Sequence, residues 1–501
     1  MKVVTGTPFV LASIAIVVLG VISAPRAAAD DDPRIKAYEQ QLEQMQRQMD
    51  EMRVRLRALE MERGMQPKAA APVAAAPPVA APPPAGAAAA TAEAAASPAT
   101  VAEQDRKIGV LAHELEGLKS KIVLPEGREL KSYYGLGPAA SKVYGVDRGL
   151  SIGGYGQFSY SNLVNDQQGA HDRFDLERFV LYTGYKFTDR IIMNSEIEFE
   201  HAVVEGGQSE VEGRESGEAE VEFLSLDFLA WKQLNFRAGL LLVPMGFINE
   251  IHEPPYYYGV FRPVVEQVII PTTWREGGVG VFGTLAPGLD YRAYLMNGLD
   301  AKGYAFEGIR EGSQEGNRAL ADDVAGTARL DYAPIPGTTF GASFFAGNAG
   351  QHQVFAGQKP NVFTLLWETH AQVQWRGLWL RALGVMTTIH DAAIVSEAKG
   401  ETIGEDQFGF YAEAAYDLLP LLFPSTTQAL APFFRYEIFD TQDKVPQGFA
   451  RNPGHNVQLY TVGAQYWPYP QVVLKLDYRN FDAGSVAPIP DEVNLGAGFV
   501  F

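Results

Sequence analysis

IIMNSEIEFEH, from Ile191 to His201, sets Ile191, Met193, Ile197 and Phe199 on one side of an extended chain and Asn194, Glu196, Glu198 and Glu200 on the other. A period of two marks a β-strand whose two faces meet different surroundings. The alternation returns at 363–374, where Phe363, Leu365, Trp367, Ala371 and Val373 oppose Thr364, Glu368, His370, Gln372 and Gln374. It returns at 472–479 and again at the end of the chain, where Val493, Leu495, Ala497, Phe499 and Phe501 share one side. Strands of about ten residues with one apolar and one polar face suit a wall with lipid outside and water inside.

The connections carry the argument further. Short turns stand at FTDR (187–190), WKQLN (231–235), APG (286–288), PIPG (334–337), RG (376–377) and YWPYPQ (466–471). Between them lie long polar or glycine-rich segments near 162–173, 203–219, 243–275, 298–323, 348–360, 390–407, 440–455 and 481–491. This pairing predicts an all-β fold: a transmembrane antiparallel β-barrel of about sixteen strands over 147–501. Leu418 to Gln428, with two prolines, makes one turn unusually long. A soluble sandwich would also alternate. The aromatic pairs near strand ends (Phe408 and Phe410, Phe433 and Phe434, Tyr466 and Trp467) read instead as girdles at a membrane boundary. A last strand ending on Phe501 is the form handed to the outer-membrane assembly machinery.

The first part of the chain follows other rules. Residues 1–29 read as a signal peptide: Lys2, an apolar run from Phe9 to Ile22, then Ala27, Ala28 and Ala29 before Asp30. From 33 to 63 the apolar residues Ile35, Tyr38, Leu42, Met45, Met49, Met52, Leu56 and Leu59 step by three and four, the seam of an α-helical coiled coil. Residues 64–100 form an Ala/Pro-rich linker that cannot bury enough surface to fold. A second short coiled coil follows at 101–124, through Val101, Ile108, Leu111, Leu115, Leu118 and Ile122. This layout places the protein in a Gram-negative outer membrane with its N-terminal region in the periplasm.

Composition removes several functions. The 501 residues contain no cysteine, which excludes a disulfide scaffold, a thiolate metal site and a cysteine nucleophile. A formal net charge of −19 argues against a nucleic-acid partner. Eight histidines are scattered, without an HExxH or a paired ligand spacing. No enzyme chemistry, metal or cofactor is expected from these patterns.

Two stretches resemble a known family. DLERFVLYTGYKFTDRIIMNSEIEFEH (175–201) and RAGLLLVPMGFINEIHEPPYYYGVFRPVVEQVIIPTTWREGGVGVFG (237–283) are similar to porins related to the phosphate-selective porins O and P. VPMGF, HEPP and PTTWREGG are the most specific pieces. The resemblance covers the barrel and implies a trimer of sixteen-stranded barrels that conducts small anions, often with a short N-terminal coiled coil. Strictly anion-selective members line the pore with a ladder of arginines; here the lining is mixed.

Strand parity turns Arg178, Arg237, Arg292, Arg329, Arg381, Arg435, Lys475 and Arg479 towards the lumen. The same faces carry Glu196, Glu198, Glu200, Asp290, Asp331, Glu368, Glu413, Glu437 and Asp477. Such groups either set which ions enter or pair with neighbours to stiffen the wall. The segment from Val243 to Arg275 is too apolar for a water-exposed loop, and its prolines deny it strand pairing. It is expected to fold inward as the constriction, with Glu250, His252, Glu253, Arg262, Arg275 and Glu276 at the narrowest zone. The acidic loop with Glu205, Glu210, Glu212, Glu215, Glu218 and Glu220 is a solvated surface or a site for cations bridging lipopolysaccharide. The expected function is passive diffusion of small hydrophilic solutes, anions such as phosphate among them. The expected partners are the lipid bilayer, lipopolysaccharide, the assembly machinery through Phe501 and two further copies in a homotrimer. The alternative is a tether from the outer membrane to peptidoglycan through the coiled coil.

Overall fold

A computed structural model describes residues 131–164, 171–202, 217–484 and 489–501. The signal peptide, both coiled coils, the Ala/Pro linker and most of the acidic loop lie outside the described residues.

Sixteen strands alternate with turns and loops. The first four are β1 (Gly149–Val164), β2 (Arg173–Thr188), β3 (Ile191–Glu200) and β4 (Ala219–Trp231). Next come β5 (Leu234–Leu242), β6 (Arg275–Ala286), β7 (Leu289–Asn297) and β8 (Val324–Tyr332). Then follow β9 (Thr338–Asn348), β10 (Phe363–Trp375), β11 (Leu378–Ile389) and β12 (Asp406–Tyr416). The last are β13 (Ala429–Lys444), β14 (Asn456–Tyr469), β15 (Val472–Ala483) and β16 (Asp491–Val500). Each pairs antiparallel with its sequence neighbours, and β1 pairs with β16 from Tyr155 opposite Val500 to Val164 opposite Asp491, so the sheet closes. Closure leaves no unpaired edge, the condition for a sheet to stand in hydrocarbon. Phe501 extends the seam: its N–H donates to the Gly154 carbonyl at 2.9 Å and its carbonyl accepts from Gly154 N–H at 3.0 Å.

Every second residue of a strand faces out, and those positions are apolar. Leu150, Ile152, Val279, Leu295 and Val462 are exposed, and Phe174 reaches 72% exposure. A water-soluble protein does not hold so large a continuous apolar surface; the belt is the lipid-facing side of a transmembrane barrel. Many inward positions are polar and buried, including Asn194, Glu196, Glu198, Asp227, Arg237, Thr364, Glu368, Arg435 and Asn494.

They are buried because two segments of the same chain fill the lumen. The loop 243–274 between β5 and β6 turns inward, with a short helix at Val265–Val268. Its Val243, Met245, Val265, Ile269, Ile270 and Trp274 pack on the inward Tyr294, Met296, Phe345, Leu366, Leu383, Val385 and Tyr411. The second segment precedes β1. The barrel was expected to begin at 147, but Leu136, Ala139 and Ala140 pack inside it with Tyr155, Val180, Tyr182 and Phe223. The barrel unit therefore includes the stretch that contains the Lys142–Gly145 turn of helix.

Two local readings change. Among the aromatic pairs, Phe410 and Phe434 are exposed on the outer face, but Phe433 and Tyr466 are buried. Phe433 points inward with Arg435 and stacks near Tyr258, at 5.5 Å between rings, so neighbours in a strand cannot both belong to a girdle. The long turn at Leu418–Gln428 holds a helical turn, Leu419–Leu422, which accounts for its length.

Candidate functional site

The lumen wall grips the 243–274 loop by its backbone. Arg435 donates to the Tyr258 carbonyl at 2.8 Å, and Lys475 donates to the carbonyls of Tyr257 and Gly259 at 3.1 and 2.8 Å. Gln157 donates to Val260 O at 3.0 Å, while Glu437 accepts the Val265 N–H at 3.1 Å. Glycines on β16 make room for this approach: a Cβ at Gly498 would collide with Pro254, and one at Gly496 would press on Val260. The loop also braces itself, since Glu266 accepts from the N–H groups of Phe247 and Ile248, both at 2.8 Å, and from the Tyr411 hydroxyl at 2.6 Å. An irregular chain, whose backbone groups are not paired in a strand, can fill a lumen only when such partners are supplied.

The expected pore-lining bases all stand inside the barrel, and most are neutralised. Arg178 lies 3.2 Å from Glu198, and Arg237 donates to both oxygens of Asp227 at 2.7 and 2.9 Å. Arg435, 1% exposed, sits between Glu437 at 2.8 Å and Glu413 at 3.2 Å. Arg479 meets Glu492 at 2.9 Å. Arg292 and Arg329 share Asp331, at 2.7 and 2.8 Å, and both approach Glu250 of the loop, at 2.9 and 3.7 Å. Asp331 also meets His370 Nε2 at 2.8 Å, with Glu368 on the other ring nitrogen.

Of the eight expected bases, Arg381 and Lys475 have no carboxylate partner among the described residues. Lys475 is committed to carbonyls and to the face of Tyr257, 3.6 Å away. Arg381 lies over the rings of Phe247 and Trp379, at 4.5 and 5.3 Å, and donates to Gln372 and to Tyr256 O. Its Nη1 is buried without any partner.

Arg292, Arg329 and Arg381 line one cavity of about 460 Å³ together with Glu250, Tyr256, Asp290, Asp331, Gln372 and Trp379. Gly288, Ala333 and Gln374 place its mouth beside the short turns. The loop and the segment at Ser132–Gly135 form its inner end.

The six candidates for the constriction separate into groups. Glu250 joins the arginines of the cavity. Burial raises the pKa of its carboxyl, opposed by Arg292 and Arg329. Glu253 is buried against the segment before β1, where it accepts the Ala139 N–H at 3.1 Å; burial pushes its carboxyl up to about 8. His252 faces Glu196 at 3.0 Å and Glu222 at 3.5 Å. Arg262 is buried with Nε and Nη2 unpartnered among the described residues. Arg275 and Glu276 stand on β6 and not in the loop, because strand pairing with Leu242 and Leu241 begins there. Arg275 reaches Glu220 and Glu222, and Glu276 accepts from Trp274 and Asn297.

Sequence reading missed the inner segment and its contacts. Tyr144 donates to Asp227 at 2.6 Å, and Asn194 donates to the Ala140 carbonyl at 2.9 Å. The surplus of apolar residues just before β1, with no strand or helix period, was the available signal.

No family model matches the chain. Salmonella typhi OmpF in complex with daunomycin aligns at 10% identity over 71% of this chain and 98% of its own, with a TM-score of 0.47. The outer membrane channel DcaP of Acinetobacter baumannii aligns at 12% identity over 70% and 97%, with a TM-score of 0.46. An uncharacterized protein of Aquifex aeolicus (strain VF5) is 40% identical over 377 residues, which cover 73% of this chain and 83% of the relative. The chain belongs to the family of that Aquifex aeolicus protein.

Proposed function

We propose that the protein is an outer-membrane channel for passive diffusion of small hydrophilic solutes, with anions favoured. The observation that carries this reading is Arg381: a buried guanidinium without a carboxylate, facing a cavity shared with Arg292 and Arg329. A fixed positive charge at the edge of a water-filled vestibule lowers the energy of an entering anion and raises that of a cation. Phosphate belongs to this class of solute. Asp331 and Glu250 hold the other two arginines in place, which leaves Arg381 and, nearer the turns, Asp290 as the lining charges outside an ion pair.

The same reading puts the apolar belt in lipid, with lipopolysaccharide around the long loops. It hands the chain to the assembly machinery through Phe501 and groups three copies as a homotrimer. The test is the reversal potential of the purified protein in a planar bilayer across a KCl gradient. An anion-directed potential, with phosphate blocking the chloride current, supports the reading. A cation-directed potential refutes anion preference, and no current from folded protein refutes the channel.

A further inference from the structure

The most unusual chemistry in the barrel lies away from that vestibule, where β3 and β4 face the loop. Glu196, Glu198, Glu220 and Glu222 project from two adjacent strands, and Arg178 and Arg275 take up two of them, Glu198 and Glu220. Glu222 is left fully buried, with neither carboxylate oxygen hydrogen-bonded; the nearest basic nitrogens are His252 Nε2 at 3.5 Å and Arg275 Nη1 at 3.9 Å. One oxygen of Glu196 is likewise orphaned, and the other lies 3.0 Å from His252 Nε2. Buried carboxylate oxygens without donors are costly and call for a cation.

His252 adds a nitrogen from a different element. Its Nδ1 lies 3.3 Å from the Asn249 carbonyl, which orients the ring and directs Nε2 at the two carboxylates. A backbone carbonyl on one ring nitrogen is the usual support for a histidine that ligates through the other. One ligand atom from each of Glu196, Glu222 and His252 falls within 4.8 Å of the others. Tetrahedral coordination with bonds of about 2.0–2.1 Å needs donors about 3.3 Å apart. The separations of 3.0 and 3.5 Å bracket that value.

We propose that Glu196, Glu222 and His252 bind a divalent transition-metal ion, Zn²⁺ fitting best, which fastens the 243–274 loop to the β3–β4 wall. One imidazole and two carboxylates prefer borderline ions over Mg²⁺ or Ca²⁺, which favour sites built of oxygen alone. The ion replaces the missing donors of Glu222 and Glu196. It also cross-links a residue of the loop to two strands already closed into the wall, so its effect is on loop position. The inference is independent of which solute the channel passes.

The test uses the full folded chain, stripped with EDTA and dialysed against Zn²⁺ in the presence of millimolar Mg²⁺, with metal content read by mass spectrometry. One Zn²⁺ per chain is expected, and Glu222→Gln or His252→Gln should weaken retention at least tenfold while the barrel keeps its heat-modifiable mobility. Since a variant could fail to fold, the Co²⁺ form of the unaltered chain gives a second reading. Visible absorption of a low-symmetry site with a nitrogen ligand supports the proposal; the spectrum of the hydrated ion overturns it. Binding below one ion per chain, or equal retention by folded variants, also overturns it.

Discussion

Replacing Arg381 with Gln keeps a planar, hydrogen-bonding side chain on β11 and removes the one guanidinium of the vestibule that no carboxylate pairs. An anion at the cavity wall would come within about 4 Å of the guanidinium, where the interaction is ~1 kcal/mol in bulk water and ~4 kcal/mol at an effective dielectric of 20. The mouth beside the short turns admits water, so the lower figure applies. It acts with opposite sign on a cation, so an anion-to-cation permeability ratio changes by about 2 kcal/mol, or about thirtyfold. Arg381→Gln should therefore lower the chloride-to-potassium permeability ratio by up to about thirtyfold in planar bilayers. Asp331→Asn gives the opposite sign, because it releases Arg292 and Arg329 from a shared carboxylate at 2.7 and 2.8 Å. Unchanged selectivity in Arg381→Gln, or a weaker anion preference in Asp331→Asn, would refute the assignment of selectivity to this vestibule.

Other perturbations test the lumen filling. Trp274 is fully buried and packs on Phe345 with ring centres 4.5 Å apart. Trp274→Ala should cost about 3–5 kcal/mol in denaturant unfolding and raise single-channel conductance as the loop loosens; unchanged values for both would mean the loop is held elsewhere. Deleting residues 131–146 empties part of the lumen beside β1 to β4, so conductance should rise with the barrel still heat-modifiable, and an equal conductance would take that segment out of the ion path. Removing Phe501 deletes two hydrogen bonds at the closing seam. Each contributes about 0.5–1.5 kcal/mol, so the yield of folded barrel and its unfolding midpoint should both fall.

The strand pattern was legible because lipid and lumen impose opposite demands on alternate residues. Ile191 to Glu200 forms β3 with Glu196 and Glu198 inward, as its alternation requires. The inward turn of the 243–274 loop was legible too, from apolar content that water would not tolerate. The inner segment was not. KSYYGLGPAASKVYG (131–145) has no regular period, and its burial depends on distant partners, as when Val143 packs where Gly184 lacks a side chain. Parity gives the direction of a side chain but not what arrives opposite it. That explains why Glu196 could be placed on the inner wall while the arrival of His252 against it could not. It also explains why the two roles open to the inward charges, setting which ions enter or stiffening the wall, did not include holding backbone, where Arg435 and Lys475 are spent on Tyr257, Tyr258 and Gly259.

The closing seam joins the first strand to the last, and the lumen is already occupied on its inner side. Ala139 touches Glu253 across 114 positions of chain, and Lys475 touches Gly259 across 216. Contacts of such range carry a large loop-closure cost and make folding slow. They also constrain its order. The loop and the leading segment sit inside a wall whose last hydrogen bonds form only when β16 reaches β1. Packing of the contents and sealing of the cylinder must therefore advance together, since a sealed cylinder admits a chain only through its ends.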